Sequence, residues 1–475
     1  MAEKFSLEKL RTKKHLHFIG IGGSGMYPIA QILHSQGYYI TGSDNNETET
    51  LQAVRSMGIK VFMGQRAENI EGADLIVYTA AILPDNPELV AARSSGADVL
   101  ERSEMLGLVT SLFGNAICIS GTHGKTTTSS MLTQIFLEES VDISCVIGGK
   151  LHSIGGSGRF GKSDIMVCEA CEFCDHFLAL SPDTTVILNV DADHLDYFGT
   201  LDNIIKSFRK FADMSTRCVI INGDDENTRK AVEGLDKEII TFGFDSANDY
   251  SAQILEVNGL RTVFKLYCKG EEIDDLAIYV PGKHNVLNAL AAIAAARSAG
   301  VSWDGISLGL QVFRGAVRRF EKIGEEKGIT VVDDYAHHPA EITSTLTAAK
   351  SLGYRHVWAV FQPFTYSRTK MLMDDFVTAL EIADTAVLTD IMGSREKNTE
   401  GVYTEQLGKK INGAVWFDTP HEKVDEQTAE QKEYNFSQVT DYIAQHAEEG
   451  DLVITMGCGD VYKAAKMLVK KLKET

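Results

Sequence analysis

The chain has no long apolar segment and no excess of basic residues. None of its hydrophobic runs approaches the roughly 18 residues of a membrane-spanning helix, so no transmembrane segment is expected. Residues 1–20 contain no long apolar stretch before the first predicted strand, which predicts that there is no signal peptide. Lys and Arg number 46 against 66 Asp and Glu, so the formal net charge is −20. This charge argues against binding to duplex nucleic acid, which requires a basic surface.

Cysteine is also sparse for a chain of this length. Eight cysteines in 475 residues do not make a disulfide framework, and together with the missing signal peptide they predict a cytoplasmic protein. The hydrophobic content of 44% and the charged content of 24% are ordinary globular values. The length favours two to four domains.

The order of apolar and helical patterns predicts an α/β protein of three domains, at residues 1–113, 114–316 and 317–475. Strand patterns such as HLHFI alternate with helical patterns such as MYPIAQILHSQG, and this alternation recurs in the last domain from ITVVDDY onward. The middle domain begins again with the strand AICISG. Its runs SAQILEV, RTVFKLYCKG and LAIYV predict an antiparallel patch, and its Ala-rich segment KHNVLNALAAIAAARSAG predicts a core helix. The first and last domains are expected to be Rossmann-like.

The first glycine cluster, FIGIGGSGM, follows a predicted strand. Gly20, Gly22 and Gly25 fit the pattern G-x-G-x-x-G, and Asp44 ends the next strand 19 residues after Gly25 (44 − 25). This is the fingerprint of a loop that approaches a pyrophosphate on a helix N-terminus. Taken alone, the motif favours a nicotinamide dehydrogenase. A UDP-sugar site and a tight turn without a ligand are the alternatives.

The second glycine cluster, GTHGKTTT at residues 121–128, joins a predicted strand to a predicted helix. It is a shortened phosphate loop, because Ile119 stands where the pattern G-x-x-x-x-G-K-[ST] has its first glycine. We expect the backbone N–H groups to hold phosphate oxygens and Lys125 to reach the terminal phosphates. The hydroxyl of Thr126 is expected to bind Mg²⁺.

Two further metal ligands are predicted beyond later strands. Glu169 follows IMVC and His194 lies in NVDADHLDYF, at strand ends where α/β proteins place their ligands. Near Glu169, three cysteines with C-x₂-C-x₂-C spacing resemble part of an iron–sulfur set; they are Cys168, Cys171 and Cys174. The next cysteine is as far away as Cys218, so we predict that these three are not cluster ligands.

Several motifs occur in a fixed order: GTHGKTTT, the Glu169 segment, NVDADHLD, GKHNVLNA, FRGAVRRFE, VVDDYAHHPAEI and FQPFTYSRT. Over essentially its whole length the chain therefore resembles the Mur ligases of peptidoglycan synthesis. The resemblance implies that the first domain binds a UDP-sugar, the second binds ATP with Mg²⁺, and the third receives an amino acid. A ligase that uses ATP does not require a nicotinamide cofactor, so the resemblance argues against the dehydrogenase.

The motifs fit best a family member that joins L-alanine to the lactyl carboxylate of UDP-N-acetylmuramate through an acyl phosphate. The alternative is a related ligase that recycles whole tripeptides. That ligase shares GTHGKTTT and AHHP but lacks the FQP-x₂-Y-x-RT segment. No nucleic acid or membrane is expected as a partner.

The resemblance also implies a role for each matching residue. The UDP-sugar is assigned to Gly20, Gly22, Gly23, Gly25, Met26, Ser43 and Asp44. ATP is assigned to Gly121, Thr122, His123, Gly124, Lys125, Thr126, Thr127, Asn285, Asn288, Arg319 and Asp333. Within this set, the resemblance implies that Asn285 and Asn288 meet adenine, Arg319 the phosphates and Asp333 the ribose. The metal is assigned to Thr126, Glu169 and His194, and the amino acid to Tyr335, His337 and Arg368. The expected catalytic residues are Lys125, Glu169, His194, His337 and Arg368, with His337 as a candidate base for the alanine amine.

Three departures from the family pattern are visible. The chain reads EACEF where many members read EADES, although Glu169 is retained. Thr365 stands where some relatives carry Arg, so Arg368 is the one arginine left in that motif. Arg209 lies near the place of a modified lysine that some sister ligases use.

Overall fold

The computed structural model describes residues 5–394, 396–399, 401–421 and 428–474. These residues form an α/β protein with three β-sheets, as the sequence predicts. The chain divides into two compact units. The first comprises residues up to Leu255, Val263–Ile278 and His284–Phe313, and the second comprises Glu256–Thr262, Tyr279–Lys283 and the residues from Arg314 onward. In the described residues, no helix combines the length and the apolar character needed to span a bilayer.

The first sheet has five parallel strands in the order β3-β2-β1-β4-β5. Its strands are β1 (His15–Ile19), β2 (Tyr39–Asp44), β3 (Lys60–Met63), β4 (Leu75–Tyr78) and β5 (Asp98–Glu101). The helices of this region are α1 (Leu7–Arg11), α2 (Tyr27–Ser35), α3 (Glu49–Ser56), α4 (Pro87–Ser94) and α5 (Arg102–Thr110). The strand order reverses between β1 and β4, which is where doubly wound sheets bind their ligands. The first glycine loop begins there, directly after β1.

The second sheet has ten strands in the order β15-β14-β13-β12-β11-β10-β6-β9-β7-β8. Its strands are β6 (Asn115–Ser120), β7 (Ser144–Leu151), β8 (Gly156–Arg159), β9 (Ile165–Glu169), β10 (Thr184–Ile187), β11 (Cys218–Asn222), β12 (Glu238–Gly243), β13 (Tyr250–Asn258), β14 (Arg261–Cys268) and β15 (Glu271–Ile278). The helices are α6 (Lys125–Glu138), α7 (Leu195–Phe198), α8 (Leu201–Asp213), α9 (Glu226–Val232), α10 (Lys283–Ser298) and α11 (Trp303–Val312).

Strand β6 lies between β9 and β10 and is parallel to both. All six of its residues are buried, as expected for a strand covered on both faces. The carboxyl ends of β6, β9 and β10 therefore meet at one edge, and Gly121, Ala170 and Leu188 continue the chain from that edge. The Ala-rich face of α10 is buried in the core, as predicted.

The β-rich segment from residue 250 onward contains the predicted antiparallel strands, which extend this sheet. Strand β13 pairs in parallel with the end of β12. Two-residue turns join β13 to β14 and β14 to β15. Connections that short can only link antiparallel neighbours, because a parallel pair needs a long crossover.

The third sheet has six strands in the order β16-β17-β21-β18-β19-β20, of which only the edge strand β16 is antiparallel to its neighbour. Its strands are β16 (Glu321–Glu326), β17 (Ile329–Asp334), β18 (Val357–Phe361), β19 (Thr385–Thr389), β20 (Val415–Phe417) and β21 (Leu452–Met456). The helices are α12 (Pro339–Ser351), α13 (Tyr366–Met371), α14 (Met373–Leu380), α15 (Thr404–Gly408), α16 (Ala429–His446) and α17 (Tyr462–Glu474). Separate hydrophobic clusters cover its two faces.

Candidate active site

The phosphate loop forms the predicted junction between β6 and α6. Gly124 immediately precedes the helix with φ of 86°, a left-handed conformation that favours glycine. Asn189, which follows β10, braces the loop from the side. Its Oδ1 accepts a hydrogen bond from the N–H of His123 at 2.8 Å, and its Nδ2 donates to the His123 carbonyl at 3.1 Å. The loop is thus held in place at the N-terminus of a 14-residue helix, where anions bind favourably.

The ammonium group of Lys125 folds back onto the same loop. Its Nζ donates to the carbonyl of Gly121 at 2.6 Å and to that of Thr122 at 3.0 Å. It also lies 2.9 Å from a carboxylate oxygen of Glu172. Burial lowers the pKa of Lys125, but the charges of Glu172, Cys171 and Glu169 outweigh it, so the pKa is raised and the charged form is secured.

Glu169 ends β9 and lies against the first turn of α6. The Thr126 hydroxyl donates to its Oε1 at 3.1 Å, and the N–H of Gly148 donates to its Oε2 at 2.7 Å. The structure thus brings together two of the three predicted metal ligands, and both carry the hard oxygen donors that Mg²⁺ prefers. The residues present fit a magnesium ion bound to a nucleotide.

His194, the third predicted ligand, immediately precedes α7 with φ of 52°. Its ring packs edge-on against Phe173, with 4.9 Å between centroids, and its Nδ1 lies 3.7 Å from Asp193. Within the described residues, no three His, Cys, Asp or Glu side chains are arranged to hold a metal ion without another ligand. None of the eight cysteines, all of which the structure describes, forms a disulfide.

A cavity of about 330 Å³ connects the first glycine loop with Glu169. Its walls come from the loop after β1, the residue after β4, helix α5, the middle of β7, and the end of β9 with the segment that follows it. The lining residues are Gly23, Ser24, Gly25, Met26, Thr79, Arg102, Leu106, Val146, Ile147, Gly148, Glu169 and Cys171. The two glycine loops therefore border the same region of the first compact unit. The first loop lines the cavity, and the phosphate loop reaches it through the contact between Thr126 and Glu169.

Arg102 is a cavity residue that the sequence analysis missed. It begins α5, directly after β5, and contributes a cationic side chain beside the first glycine loop. No local motif marks it, because its place in the site depends on the pairing of β5 with β4.

Two residues predicted to bind the UDP-sugar brace the loop in this structure. Ser43 is fully buried, and its hydroxyl donates to Glu88 at 2.5 Å. The Asp44 carboxylate accepts a hydrogen bond from the N–H of Gly22 at 3.0 Å. This geometry supports a bracing role for Ser43 and does not bring its hydroxyl to the cavity.

The predicted adenine residues lie on α10 against the phosphate loop. A Cβ placed on Gly124 would lie 2.4 Å from Oδ1 of Asn288, which shows how closely the helix approaches the loop. Nδ2 of Asn288 donates to Oδ1 of Asn285 at 3.0 Å. Thr127 lies in the first turn of α6. Burial and the charge of His123 lower the pKa of the neighbouring His284, which favours a neutral imidazole.

In the second unit, the carboxylate of Asp333 is fully buried and bonded internally. Nε of Arg318 donates to it at 2.8 Å, and so does the hydroxyl of Thr455 at 2.6 Å. Burial raises the pKa of Asp333 to about 6 despite the opposing effects of Arg318 and Thr455. These contacts favour a structural role for Asp333, and its predicted contact with the ATP ribose stays a prediction. The neighbouring Arg319, predicted to bind phosphates, lies 5.3 Å from the centre of the Tyr335 ring.

The predicted amino-acid residues are grouped around the loops that follow β17 and β21. The Nδ1 of His337 lies 3.1 Å from Oε2 of Glu341, and its ring contacts Tyr335 edge-on. Burial raises the pKa of Glu341, but its hydrogen bonds with His337 and the charges of His337 and Arg319 outweigh this effect and hold the pKa well below its usual range. Glu341 was not among the residues predicted from the sequence.

Arg368 lies in α13, close enough to Cys458 to act on its ionisation. Burial raises the pKa of the Cys458 thiol to about 11, while the charges of Arg368 and Arg318 oppose that rise. Cys458 was not among the residues predicted from the sequence either. Its position in the loop after β21 becomes visible only once the third sheet is assembled.

Comparison with known proteins decides the family. The Mur ligase family, catalytic domain, matches residues 15–113; the Mur ligase middle domain matches 119–296; and the Mur ligase, glutamate ligase domain, matches 318–459. This chain belongs to the Mur ligase family. It is 44% identical to the UDP-N-acetylmuramate–L-alanine ligase of Lachnospira eligens over 465 residues, which cover 96% of this chain and 98% of that protein.

Solved Mur ligase structures show the same three-domain architecture. The crystal structure of UDP-N-acetylmuramate–alanine ligase from Thermotoga maritima aligns with a TM-score of 0.80 and 27% identity, covering 97% of this chain and 99% of that one. A murein peptide ligase from Psychrobacter arcticus aligns with a TM-score of 0.71 at 24% identity, covering 97% and 99%. At that identity the second likeness supports the fold alone.

The structure shows the location or the contacts of each residue at which this Mur ligase departs from the family pattern. In EACEF, Cys171 lines the cavity. Thr365 has φ of 61°, and its hydroxyl accepts a hydrogen bond from the N–H of Arg368 at 3.4 Å, so it caps the helix that carries this arginine. Arg209 donates to the carbonyl of Glu233 at 2.6 Å.

Proposed function

We propose that this Mur ligase joins L-alanine to the lactyl carboxylate of UDP-N-acetylmuramate at the expense of ATP. The observation that carries the proposal is the shared cavity. It runs from the first glycine loop to Glu169, which contacts the phosphate loop through Thr126. A nucleotide held by its diphosphate at the first loop can present a carboxylate toward a phosphate held at the second. The 44% identity to a ligase of this name supports the same reaction.

The reaction requires activation because a carboxylate is a poor electrophile. A lactyl oxygen attacks the γ-phosphorus and ADP leaves, giving an acyl phosphate. The alanine amine then adds to the carbonyl carbon, and the tetrahedral intermediate expels inorganic phosphate to leave an amide. Positioning and charge neutralisation account for most of the catalysis of such phosphoryl transfers.

In this scheme the first unit binds and neutralises the phosphates. Lys125 and the N-terminus of α6 face the terminal phosphates, and Arg102 offers a cation to the diphosphate or the carboxylate of the sugar nucleotide. Thr126 and Glu169 would hold one magnesium ion, and His194 would hold a second. When bound, the ions would neutralise charge on the transferring phosphoryl group.

In the second unit, we assign the amino acid to the region of Tyr335, His337 and Arg368. Arg368 would bind the carboxylate of alanine. His337, oriented by Glu341, would accept a proton from its ammonium group. The three functional regions correspond to the proposed domains at 1–113, 114–316 and 317–475. Nucleotide substrates and cysteines without disulfides fit a reducing cytoplasm.

The proposal is tested by phosphate release from ATP in the presence of UDP-N-acetylmuramate and each of the twenty amino acids in turn. We expect release with L-alanine and only weaker release with glycine or serine. Faster turnover with the whole tripeptide than with alanine would instead identify the recycling ligase. Oxidation of a nicotinamide with a simple substrate, without phosphate release, would reject both.

A further inference from the structure

We propose that Glu172 is a positioning residue that holds the Lys125 ammonium on the phosphate loop until the terminal phosphate of ATP takes its place. The proposal rests on the ATP site proposed above. It goes further by assigning to Glu172 an exchange of partners that controls how tightly ATP binds.

The hydrogen-bond donors of Lys125 are all engaged. An ammonium group has three N–H donors. Nζ lies within hydrogen-bonding distance of the carbonyls of Gly121 and Thr122 and of the Glu172 carboxylate. A phosphate can therefore contact Nζ only by replacing one of these partners. The two carbonyls belong to the loop that surrounds the phosphate, so the carboxylate is the partner to be replaced.

Glu172 in turn depends on Lys125. Its side chain is 5% exposed. Among the described residues, Lys125 is the cation paired with it, and its Oε2 is buried without a well-aligned hydrogen bond. A buried carboxylate is costly unless it is paired. The pair is thus stable as long as no stronger anion competes for the ammonium.

The backbone just after Glu172 has an unusual conformation. Cys174 and Asp175 follow with φ of 52° and 59°, which makes them two consecutive left-handed residues. The Asp175 carboxylate fixes this turn by accepting hydrogen bonds from Ser207 and, at 3.0 Å, from the Tyr197 hydroxyl. Non-glycine residues adopt this conformation at a cost, and consecutive examples are typical of functional sites.

Glu172 therefore competes with the terminal phosphate for one cation. Without nucleotide, its charge keeps Lys125 on the loop and reduces repulsion between the ammonium and the N-terminus of α6. With ATP bound, the phosphate takes the contact. Removal of the Glu172 charge should then favour ATP more than ADP, because Lys125 is expected to reach the terminal phosphate.

The test is calorimetric titration of the full chain with MgATP and with MgADP. Glu172→Gln should bind ATP about tenfold more tightly than the wild type, which corresponds to about 1.4 kcal/mol, and its affinity for ADP should change less. A residue that only supports the fold would weaken both ligands when it is changed. The control is Glu138→Gln, which removes the same charge at the other end of α6, about 20 Å away, and should bind both ligands as the wild type does.

Unchanged or weaker ATP binding by a folded Glu172→Gln variant overturns the proposal. If that variant does not fold, Glu172→Asp replaces it. Its shorter side chain should tighten ATP binding by about threefold, and wild-type affinity would again overturn the proposal. Lys125→Ala tests the ATP site separately from the exchange of partners. If Lys125→Ala loses affinity for ATP, the ATP site is supported. If Glu172→Gln then does not bind ATP more tightly, only the proposed exchange is rejected.

Discussion

A few side-chain atoms define the chemistry of the first unit. The Lys125 ammonium and the Glu169 carboxylate both lie near the first turn of α6, each held by contacts with the loop or with a neighbouring strand. Because the protein holds both groups, once Lys125 has exchanged one partner for the phosphate, little further reorganisation is needed when charge moves during phosphoryl transfer.

Replacement of Lys125 by alanine should nearly abolish turnover and leave the chain folded. The loss of one preorganised charged donor costs roughly 10²–10³ in kcat, or about 2.7–4 kcal/mol. Steady-state phosphate release measures this effect. The matched control is Lys230→Ala, which removes an exposed lysine paired with Glu226 and should leave the rate unchanged. If Lys125→Ala kept more than half of the activity, the loop would have no place in the mechanism.

Gly148→Ala should displace the Glu169 carboxylate and weaken magnesium binding. A Cβ at position 148 would lie 2.3 Å from Glu169 Oε1, and the variant also crowds the N–H that holds this carboxylate. Groups that orient a metal ligand typically affect metal affinity by about 10–100-fold. The measurement is the Mg²⁺ concentration that gives half-maximal rate.

Gly156→Ala serves as the control for this experiment. Its added Cβ would lie no closer than 3.8 Å to other atoms in the neighbouring strand β8. An equal magnesium requirement in Gly148→Ala and Gly156→Ala would contradict the assignment of Glu169.

At the scale of elements, most of the candidate site lies on loops that follow parallel strands. A site residue could be predicted from the sequence where its loop joins two consecutive elements. The phosphate loop was predictable because β6, the loop and α6 are consecutive. Arg102 and Glu172 were not, because their places depend on contacts between elements far apart in sequence. The contact of Ser43 with the UDP-sugar stays a prediction, since its side chain is buried and the fingerprint does not specify which strand-end side chain turns inward.

At the N-terminus of α12, the carboxylate of Glu341 stabilises both the helix and the position of His337. Glu341 accepts hydrogen bonds from the N–H of His337 at 3.0 Å and from that of His338 at 3.3 Å. It thereby caps the helix while it orients His337. Because its folded-state pKa is depressed, its contribution to stability is present above its unfolded pKa of about 4.3 and is lost as the pH falls through the folded-state value.

Glu341→Gln should therefore destabilise the second unit near neutral pH by about 1–3 kcal/mol, and the difference from wild type should shrink only as the pH falls below about 4. Urea unfolding followed by tryptophan fluorescence at about pH 7.5 and about pH 2.5 measures this, since Trp358 and Trp416 lie in the third sheet. Glu433→Gln, an exposed change on α16, is the control. A destabilisation that is the same at both pH values would contradict the role of the carboxylate charge.

At the scale of the whole molecule, the two glycine loops lie on two different sheets. One chain carries both loops because, in this account, each binds a different substrate of the same reaction. Strand periodicity predicted three α/β domains correctly, because parallel strands buried on both faces have a continuous apolar pattern. The pattern could not predict that β13, β14 and β15 continue the central sheet, since pairing partners are not encoded in the strand itself.

The central claim is that this Mur ligase phosphorylates a carboxylate held at the first loop with ATP held at the second. The most direct measurement uses UDP-N-acetylmuramate labelled with ¹⁸O in its lactyl carboxylate, together with ATP and L-alanine. Mass spectrometry of the inorganic phosphate then reports which oxygen attacked the γ-phosphorus. The account predicts that each released phosphate carries one oxygen from the labelled carboxylate. Phosphate without the label would show that water, and not the carboxylate, attacks ATP, and would contradict the account.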